Sequence, residues 1–200
     1  MKMIRLCLKI TLFIVAFIAA AWFFMPWRSL GEYALRAGGV AYSSVKSASG
    51  GFSVENLRAH KLNGMADLSF RTLTVVPDAF YSLLSFSLLC RMSFTDCSLG
   101  EIAVTPLKKI PGMGFGDGRL TVSAWRKTIL LEGVRSNGDL SVNGDLFIDL
   151  SAERPIQRAA LTLNVKPGVN FEPLEKEVLP FLQNIMPLEQ EGQGRWVLRR

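Results

Sequence analysis

Alternation of apolar and polar side chains over residues 136–151 constrains the fold of this chain more than any other feature of the sequence. The segment reads SNGDLSVNGDLFIDLS, and polar residues fill most of its odd positions. Its apolar even positions are Leu140, Val142, Leu146, Ile148 and Leu150. Successive side chains of a β-strand point to opposite faces, so this period of two predicts antiparallel strands with one apolar and one solvated face.

The same period recurs on both sides of this segment. Leu120 and Val122 alternate with polar residues, and AALTLNVKP repeats the pattern near the C-terminus. The connections SNGD, VNGD and AERP are typical of turns. The apolar positions form either a closed core or the lining of a groove that accepts lipid or a partner. They are Leu120, Val122, Leu140, Val142, Leu146, Ile148, Leu150, Leu161, Leu163 and Val165.

The middle of the chain predicts further strands. LSFRTLTVVP (68–77) alternates, with its even positions, Leu68 to Val76, on one face. The glycine-rich GMGFGDG (112–118) predicts a flexible turn, since no helix follows that could hold a phosphate. DAFYSLLSFSLLC (78–90) predicts a short helical turn that leads into a strand. The apolar side chains of this last segment either pack in the core or contact the membrane surface.

Two segments have the period of a helix. SLGEYALRAGG predicts a short amphipathic helix whose apolar spacing is set by Leu30, Tyr33, Ala34 and Ala37. PLEKEVLPFLQNIMP predicts a second helix, which Pro180 must kink or restart because it lacks an N–H donor. GQGRWVLRR then predicts a closing strand. Helices this few leave part of the apolar face to fold over on itself or to meet a partner.

An uncharged run, ITLFIVAFIAAAWFFMPW (10–27), precedes the predicted strands. At about 1.5 Å per residue, a helix of this length approaches the roughly 30 Å of a hydrocarbon core. The basic residues before it are Lys2, Arg5 and Lys9. The positive-inside rule therefore predicts residues 1–9 in the cytoplasm, a transmembrane anchor over 10–27 and a β-rich domain, 28–200, across the membrane. The alternative is a signal peptide cleaved near Ala19 and Ala21.

Charge and side-chain chemistry favour neither nucleic-acid binding nor catalysis. The formal net charge is +6, with Lys and Arg scattered along the chain, so no nucleic-acid partner is predicted. The single histidine, His60, has no nucleophile or orienting carboxylate near it in the sequence. Asp139, Asp145 and Asp149 form either a solvated face or a calcium site, and the solvated face is the simpler interpretation. We predict a protein that is not an enzyme, with no cofactor and no metal.

Cys90 and Cys97 lie beyond the predicted anchor, where a bacterial host would provide an oxidising compartment. They either pair across a turn or remain buried thiols. The sequence contains no CxxC motif, and no Cys/His cluster has the spacing of a metal site.

The order of these segments resembles that of a known family. The chain passes from its apolar run to FRTLTVVPDAFYSLLSFSLLCRMSF, then to the paired strands of GRLTVSAWRKTILLEGVRSNGDLSVNGDLFIDLS, and closes with LEKEVLPFLQNIMPLEQEGQGRWVLRR. From residue 8 to residue 198 it is similar to the type II secretion protein GspN and, more broadly, to AsmA-like proteins. The likeness is one of layout and of short turns, and it includes no catalytic motif, so no functional residue is carried over.

This resemblance implies both a fold and a function. The fold would be mainly β with flanking helices: an N-terminal transmembrane helix plus a curved antiparallel sheet folded over an apolar face. The protein would be a single-pass inner-membrane protein with its C-terminal domain in the periplasm. It would be an accessory or structural component of the type II secretion system that docks to other secretion subunits. AsmA-like relatives handle lipid between the two membranes, so phospholipid binding or transfer is the alternative.

The face assignment of residues 140–150 is testable with neighbouring substitutions. Val142→Asp should unfold or misfold the domain, because it places a charge on the apolar face. Asn143→Asp should leave the free energy of unfolding nearly unchanged, because its side chain is on the solvated face. Denaturant unfolding of the two variants checks this, and equal behaviour would show that the faces are wrongly assigned.

Overall fold

The alternating segments form strands of one large sheet in the structure, which is a computed structural model. It describes residues 13, 16–17, 20, 24–62, 66–78, 81–82, 85, 87–105, 108–110, 112–152, 156–168, 171–183 and 187–199. The strands are β1 (Ser44–Ala48), β2 (Gly51–Leu62), β3 (Ala66–Pro77), β4 (Leu88–Leu99), β5 (Ile102–Thr105), β6 (Lys108–Ile110), β7 (Met113–Trp125), β8 (Thr128–Ser136), β9 (Leu140–Asp149), β10 (Ile156–Val165), β11 (Leu188–Gly192) and β12 (Arg195–Arg199). The helices are α1 (Trp27–Ala37) and α2, which joins Phe171–Pro173, the π-helical Leu174–Val178 and Leu179–Gln183.

Ten of these strands form a curved antiparallel sheet in the order β1-β2-β3-β4-β7-β8-β9-β10-β12-β11, and β5 pairs with β6 in a separate hairpin. The mainly β, antiparallel character predicted from the sequence is confirmed. Because neighbouring strands run in opposite directions, their connections alternate between two ends of the sheet. The connections at residues 48–51, 77–88, 125–128 and 149–156 lie at what we call the Trp125 end. Those at 62–66, 99–113, 136–140 and 192–195 lie at the Asn137 end.

Helix α1 lies where the sequence predicts a helix, but it buries a different face. Leu30 and Tyr33 are exposed, whereas Gly31 is buried. Gly31 is the contact point because an added Cβ there would lie 2.8 Å from Cδ2 of Phe52. Leu35, one turn later, packs against the cluster of buried side chains on β1 and β2. The predicted apolar spacing was therefore wrong about which face of α1 is buried, because α1 contacts Phe52 through a glycine, which has no side chain to count.

A row of backbone kinks crosses the sheet and shifts the alternation of side chains. Asn56 in β2, Asp96 in β4 and Gly116 in β7 have φ values of 51°, 53° and 64°. On either side of each kink, apolar residues three apart share one face, as Val54 and Leu57 do, both buried. The three-residue pairs are Val54/Leu57, Phe70/Leu73, Phe94/Cys97 and Phe115/Gly118. An extra residue in a strand produces such a slip and bends the sheet locally.

Hydrogen bonds connect the kinks from strand to strand. The Asp96 N–H donates to Asp117 Oδ1 at 3.0 Å, and the Asp117 N–H donates to Asn137 Oδ1 at 2.8 Å. Two predictions were wrong because of these kinks. Of the glycine-rich 112–118, all but Gly112 belongs to β7 rather than to a turn, and this segment supplies the kink at Gly116. In β3, Val75 is buried and Leu73 packs on the α1 cluster, so the even positions do not share the apolar face along the whole strand.

Helix α2 packs over the Asn137 end of the face that also carries α1, which we call the helix-bearing face. Leu174, Val178 and Leu179 are buried in one cluster with strand residues such as Leu140. Each of these side chains contributes roughly 2 kcal/mol by leaving water. The sequence predicts a kink or restart at Pro180, and the structure has a π-helical turn before it. In that turn the Leu179 N–H donates to the Leu174 carbonyl.

The predicted anchor, 10–27, lies mostly outside the described residues. Of this run the structure describes residues 13, 16–17, 20 and 24–27. Phe13 and Phe17 are helical and exposed, and the Phe24 N–H donates to the Ala20 carbonyl. Within the described part of the chain, no helix is both long and apolar enough to span a bilayer.

The kink at Asp96 in β4 predicts that glycine is tolerated at this position and that a β-branched residue is not. Asp96→Val should lower the free energy of unfolding by about 1–2 kcal/mol, because a β-branched residue is strained at positive φ. Asp96→Gly should change it by less than about 1 kcal/mol, since glycine adopts this conformation freely. Urea denaturation measures both, with Thr95→Val as the matched control in the same exposed stretch of strand. Equal stability of Asp96→Val and Thr95→Val would contradict a strained backbone at residue 96.

Candidate functional site: an open apolar strip between two clusters

Two separate hydrophobic clusters occupy the helix-bearing face. One gathers Val45, Val54 and Leu57 beneath α1. The other gathers Met113, Leu140, Leu163, Val165 and Trp196 beneath α2. Each cluster is closed by a helix, so the two ends of the strand order are covered on this face.

Between the clusters lies a stretch of apolar side chains that belongs to neither. Register pairing brings these side chains onto the same face: Cys90 pairs with Val122, Val122 with Leu131, and Leu131 with Leu146. We define the open strip as Met92, Leu120, Val122, Leu131, Leu146 and Ile148, all only half-buried. It crosses four adjacent strands and is therefore about 14 Å wide at a strand spacing of ~4.8 Å.

The ten positions singled out in the sequence divide between the covered and the open parts of this face. Leu140, Leu163 and Val165 are buried under α2, and Leu161 packs against that cluster. Leu120, Val122, Val142, Leu146 and Ile148 are half-buried. Leu150 follows the last residue of β9 and is 60% exposed, so it is part of the connection and not of the face. Part of this set is therefore core beneath α2, and the rest is half-buried on the same face, where the groove stays a prediction.

A second apolar surface lies on the opposite face of the same strands. A shallow cavity of about 610 Å³ is lined by Leu130, Phe147 and Ala160, with Asp145 and Arg158 beside them. The Asp145 carboxylate accepts a hydrogen bond from the Gly133 N–H at 2.7 Å. Strict alternation assigns this face to solvent, so the sequence analysis missed it. The signal was present as runs of three apolar residues, Ile129–Leu131 and Leu146–Ile148.

The two cysteines of the sheet are free thiols on the helix-bearing face. Both are buried in β4 and lie seven positions apart, which in a strand is roughly 23 Å. A disulfide requires Cα atoms about 4.4–6.8 Å apart, so the alternative of a Cys90–Cys97 bridge is not realised in this fold. Burial raises the pKa of the Cys90 thiol. Burial, aided by the Asp96 carboxylate, raises the pKa of the Cys97 thiol to about 11.

Carboxylates on the strands are engaged locally. Asp149 accepts hydrogen bonds from the N–H and the hydroxyl of Ser151, and these bonds hold the pKa of Asp149 below its ordinary value. No group of three His, Cys, Asp or Glu side chains within the described residues is arranged to hold a metal ion. The features that the described residues do bring together are apolar surfaces.

The family model described as "Type II secretion system protein GspN-like, Synergistales" matches residues 4–200. The chain belongs to this GspN-like family. The match covers the N-terminal run, the sheet and both helices, so every element described above falls within the GspN-like region. Neither a curated protein nor a solved structure matches the chain significantly, and no relative's binding residues are transferred to this GspN-like protein.

Alkylation of the native protein tests the state of the β4 thiols. Only the thiolate attacks iodoacetamide, and a thiol with a pKa near 11 holds about 100-fold less thiolate at neutral pH than one near 9. Cys97 should therefore react at least that much more slowly in the folded protein than in urea, followed by peptide mass spectrometry.

The control is Leu88→Cys, which places a thiol in the same strand at a position that is 57% exposed. Its thiol should react at the rate of an unfolded cysteine. Rapid modification of Cys97 in the folded protein would contradict the burial described for it.

Proposed function

We propose that this protein is an accessory or structural component of the type II secretion system that acts by docking, with no catalytic step. Membership of the GspN-like family supports the assignment to this system. The open strip supports docking as the mode of action, because an apolar surface of this size is typical of an interaction site. The strip carries no nucleophile, since Cys90 beside it is buried and protonated.

In this proposal residues 10–27 anchor the chain in the inner membrane and residues 28–200 lie in the periplasm. The uncharged run and the basic residues ahead of it support this orientation. The anchor would confine the sheet to the plane of the membrane, so its partners would be membrane-associated secretion subunits. Restricting the search to a surface raises the effective concentration of such partners without any new contact.

The two edges of the sheet differ in what they offer a partner. β11 is five residues long and carries exposed Glu189 and Glu191, which discourage pairing with another strand. β1 is equally short and carries Ser44, Lys46 and Ser47. Lys46 is neutralised by Glu55 of β2, with Nζ and Oε1 2.5 Å apart. Glu191 is also paired, with Arg195 and Arg199 of β12, so the edges differ mainly by Glu189. β1 is therefore the edge with the weaker charge against an added strand from a partner.

The open strip also favours a second candidate function, the binding of phospholipid. A strip about 14 Å wide is broad enough for acyl chains lying side by side along the strands. Each methylene that leaves water there would contribute about 0.8 kcal/mol. No polar residue is needed for affinity of this kind, which fits the composition of the strip.

Photo-crosslinking separates the two candidates. A benzophenone amino acid at Leu131, in the middle of the open strip, should capture type II secretion subunits in native membranes if docking is the function. Mass spectrometry would identify the captured subunit. An adduct with the mass of a phospholipid at the same position would instead support the lipid-binding candidate.

The matched control places the same amino acid at Thr95, an exposed residue on the opposite face of β4. Position 95 should give neither product. Failure of position 131 to capture a secretion subunit or a phospholipid would contradict both candidates, as would equal capture from the two positions.

A further inference from the structure

Exposed large apolar side chains are distributed unevenly over the molecule. Among the described residues after α1, they are Tyr81, Leu88, Trp125 and Leu150, exposed by 57%, 57%, 49% and 60%. All four lie in or beside connections at the Trp125 end of the sheet. At the Asn137 end, the turns at 136–140 and 192–195, whose side-chain exposure the structure describes, carry none. Scattered apolar residues on a surface are ordinary, but four exposed at one end of a sheet suit a contact there.

The strands themselves become apolar on both faces toward the same end. The open strip on the helix-bearing face reaches this end through Ile148. On the opposite face, Val76, Leu89, Leu130 and Phe147 lie toward this end, with Ser123 between Leu89 and Leu130 and the Thr128–Asp149 pair beyond Leu130 and Phe147. Two positions further from this end, that face carries Thr74, Arg91, Glu132 and Asp145. At about 3.4 Å per residue, apolar residues thus recur on both faces over roughly 7–10 Å, which is the depth reached by protein surfaces that lie in a bilayer interface.

The N-terminal apolar run joins the fold at this end as well. Gly31 of α1 lies against Phe52, the second residue of β2, and the chain then passes toward Ala41, which pairs with Arg58 further along β2. Helix α1 therefore starts at the Trp125 end and runs away from it. The residues just before α1, Phe24 and Met25, are 81% and 39% exposed. A segment inserted in a bilayer would thus leave the domain from the end that carries the exposed apolar side chains.

The tip of the β7–β8 hairpin combines an aromatic ring with cations. Arg126 and Lys127 form the loop, and the Arg126 guanidinium carbon lies 4.7 Å from the centre of the Trp125 ring. Arg126 has a φ of 53°, a conformation that favours glycine or asparagine. The geometry of the turn therefore does not explain why this residue is arginine. Of the nearby carboxylates, Asp78 is paired with Arg91, and Asp149 accepts hydrogen bonds from Ser151 and lies in the field of Lys127. Exposed tryptophan beside arginine and lysine suits an interface with anionic headgroups.

We infer that the Trp125 end of the sheet is a membrane-contacting rim that rests in the headgroup region of an anionic phospholipid bilayer. This inference rests on the proposed anchoring of residues 10–27 and adds the orientation of the sheet. The strands stand with their Trp125 end in the interface, and the open strip begins at the bilayer surface. The Asn137 end, with the polar turn at residues 137–139, points away from the membrane.

Tryptophan quenching in bilayers tests the orientation with the full-length protein. The chain is reconstituted into phosphatidylethanolamine and phosphatidylglycerol, with or without phospholipid brominated near the headgroup end of its acyl chains. The emission of wild type minus that of Trp125→Phe gives the emission of Trp125 alone. We expect the brominated phospholipid to quench this emission clearly. In the Trp125→Phe background, Gln193→Trp places the ring in an exposed turn at the Asn137 end, where it should not be quenched.

The emission that remains in Trp125→Phe comes from Trp22 and Trp27 of the N-terminal run and from Trp196, which is buried beneath α2. Quenching of this remainder therefore reports on the anchor. Quenching of that remainder without quenching of Trp125 would overturn the rim and leave the anchor intact. If neither this remainder nor Trp125 is quenched, the result would overturn the anchor as well as the rim. Quenching of Trp125 and of the Gln193→Trp ring alike would overturn the proposed orientation.

The lipid charge is tested by Arg126→Gln combined with Lys127→Gln. In bilayers that contain phosphatidylglycerol, we expect quenching of Trp125 to fall several-fold in this variant. In bilayers of phosphatidylcholine alone, the variant and the wild type should be alike. Unchanged quenching in the anionic bilayer would overturn the assignment of an anionic surface.

Discussion

The structure depends on one constraint: among the described residues, a ten-stranded sheet presents an apolar face that α1 and α2 cover only in part. A sheet with one apolar face needs a second layer, which α1 provides over β1 and β2, and α2 provides over the Asn137 end from β7 to β12. The central strands keep half-buried side chains such as Val122 and Leu146. The part of the molecule available for contact is thus defined by where the covering layer stops.

The row of kinks decides which residues reach that face. At Asn56, Asp96 and Gly116 the strands gain one residue, and the side chains beyond the kink exchange faces. Phe70 and Phe94 consequently meet edge to face, with ring centres 5.8 Å apart, although they lie on opposite sides of the kink. Without this slip, Cys97 and Leu57 would face solvent, and the apolar layer would end in the middle of the sheet.

Much of the strand layout is predictable from the sequence, because period-two alternation reports directly on a half-buried strand. The prediction holds best from Leu140 onward, where β9 and β10 pair in uniform register over most of their length. It fails in β3, where the face changes between Phe70 and Leu73, level with the kinks of β2 and β4, and positions counted from Leu68 no longer apply. The buried face of α1 was missed because Gly31, its contact with Phe52, adds nothing to a count of apolar residues. The apolar side chains of the opposite face, Leu130 and Phe147, were missed because each lies in a run of three consecutive apolar residues. Strict alternation of apolar and polar residues does not describe such a run.

The position of the two β4 thiols has a consequence for biogenesis. In the native strand they are too far apart to join, yet in an unfolded chain only six residues separate them, and short loops close easily. A cross-link formed at that stage would prevent β4 from becoming extended, and with it the pairing of β3 to β7. In an oxidising compartment, the yield of native protein would then depend on whether the central strands pair faster than the two thiols are oxidised. Enzymes that reduce mistaken bridges would favour the correctly folded product.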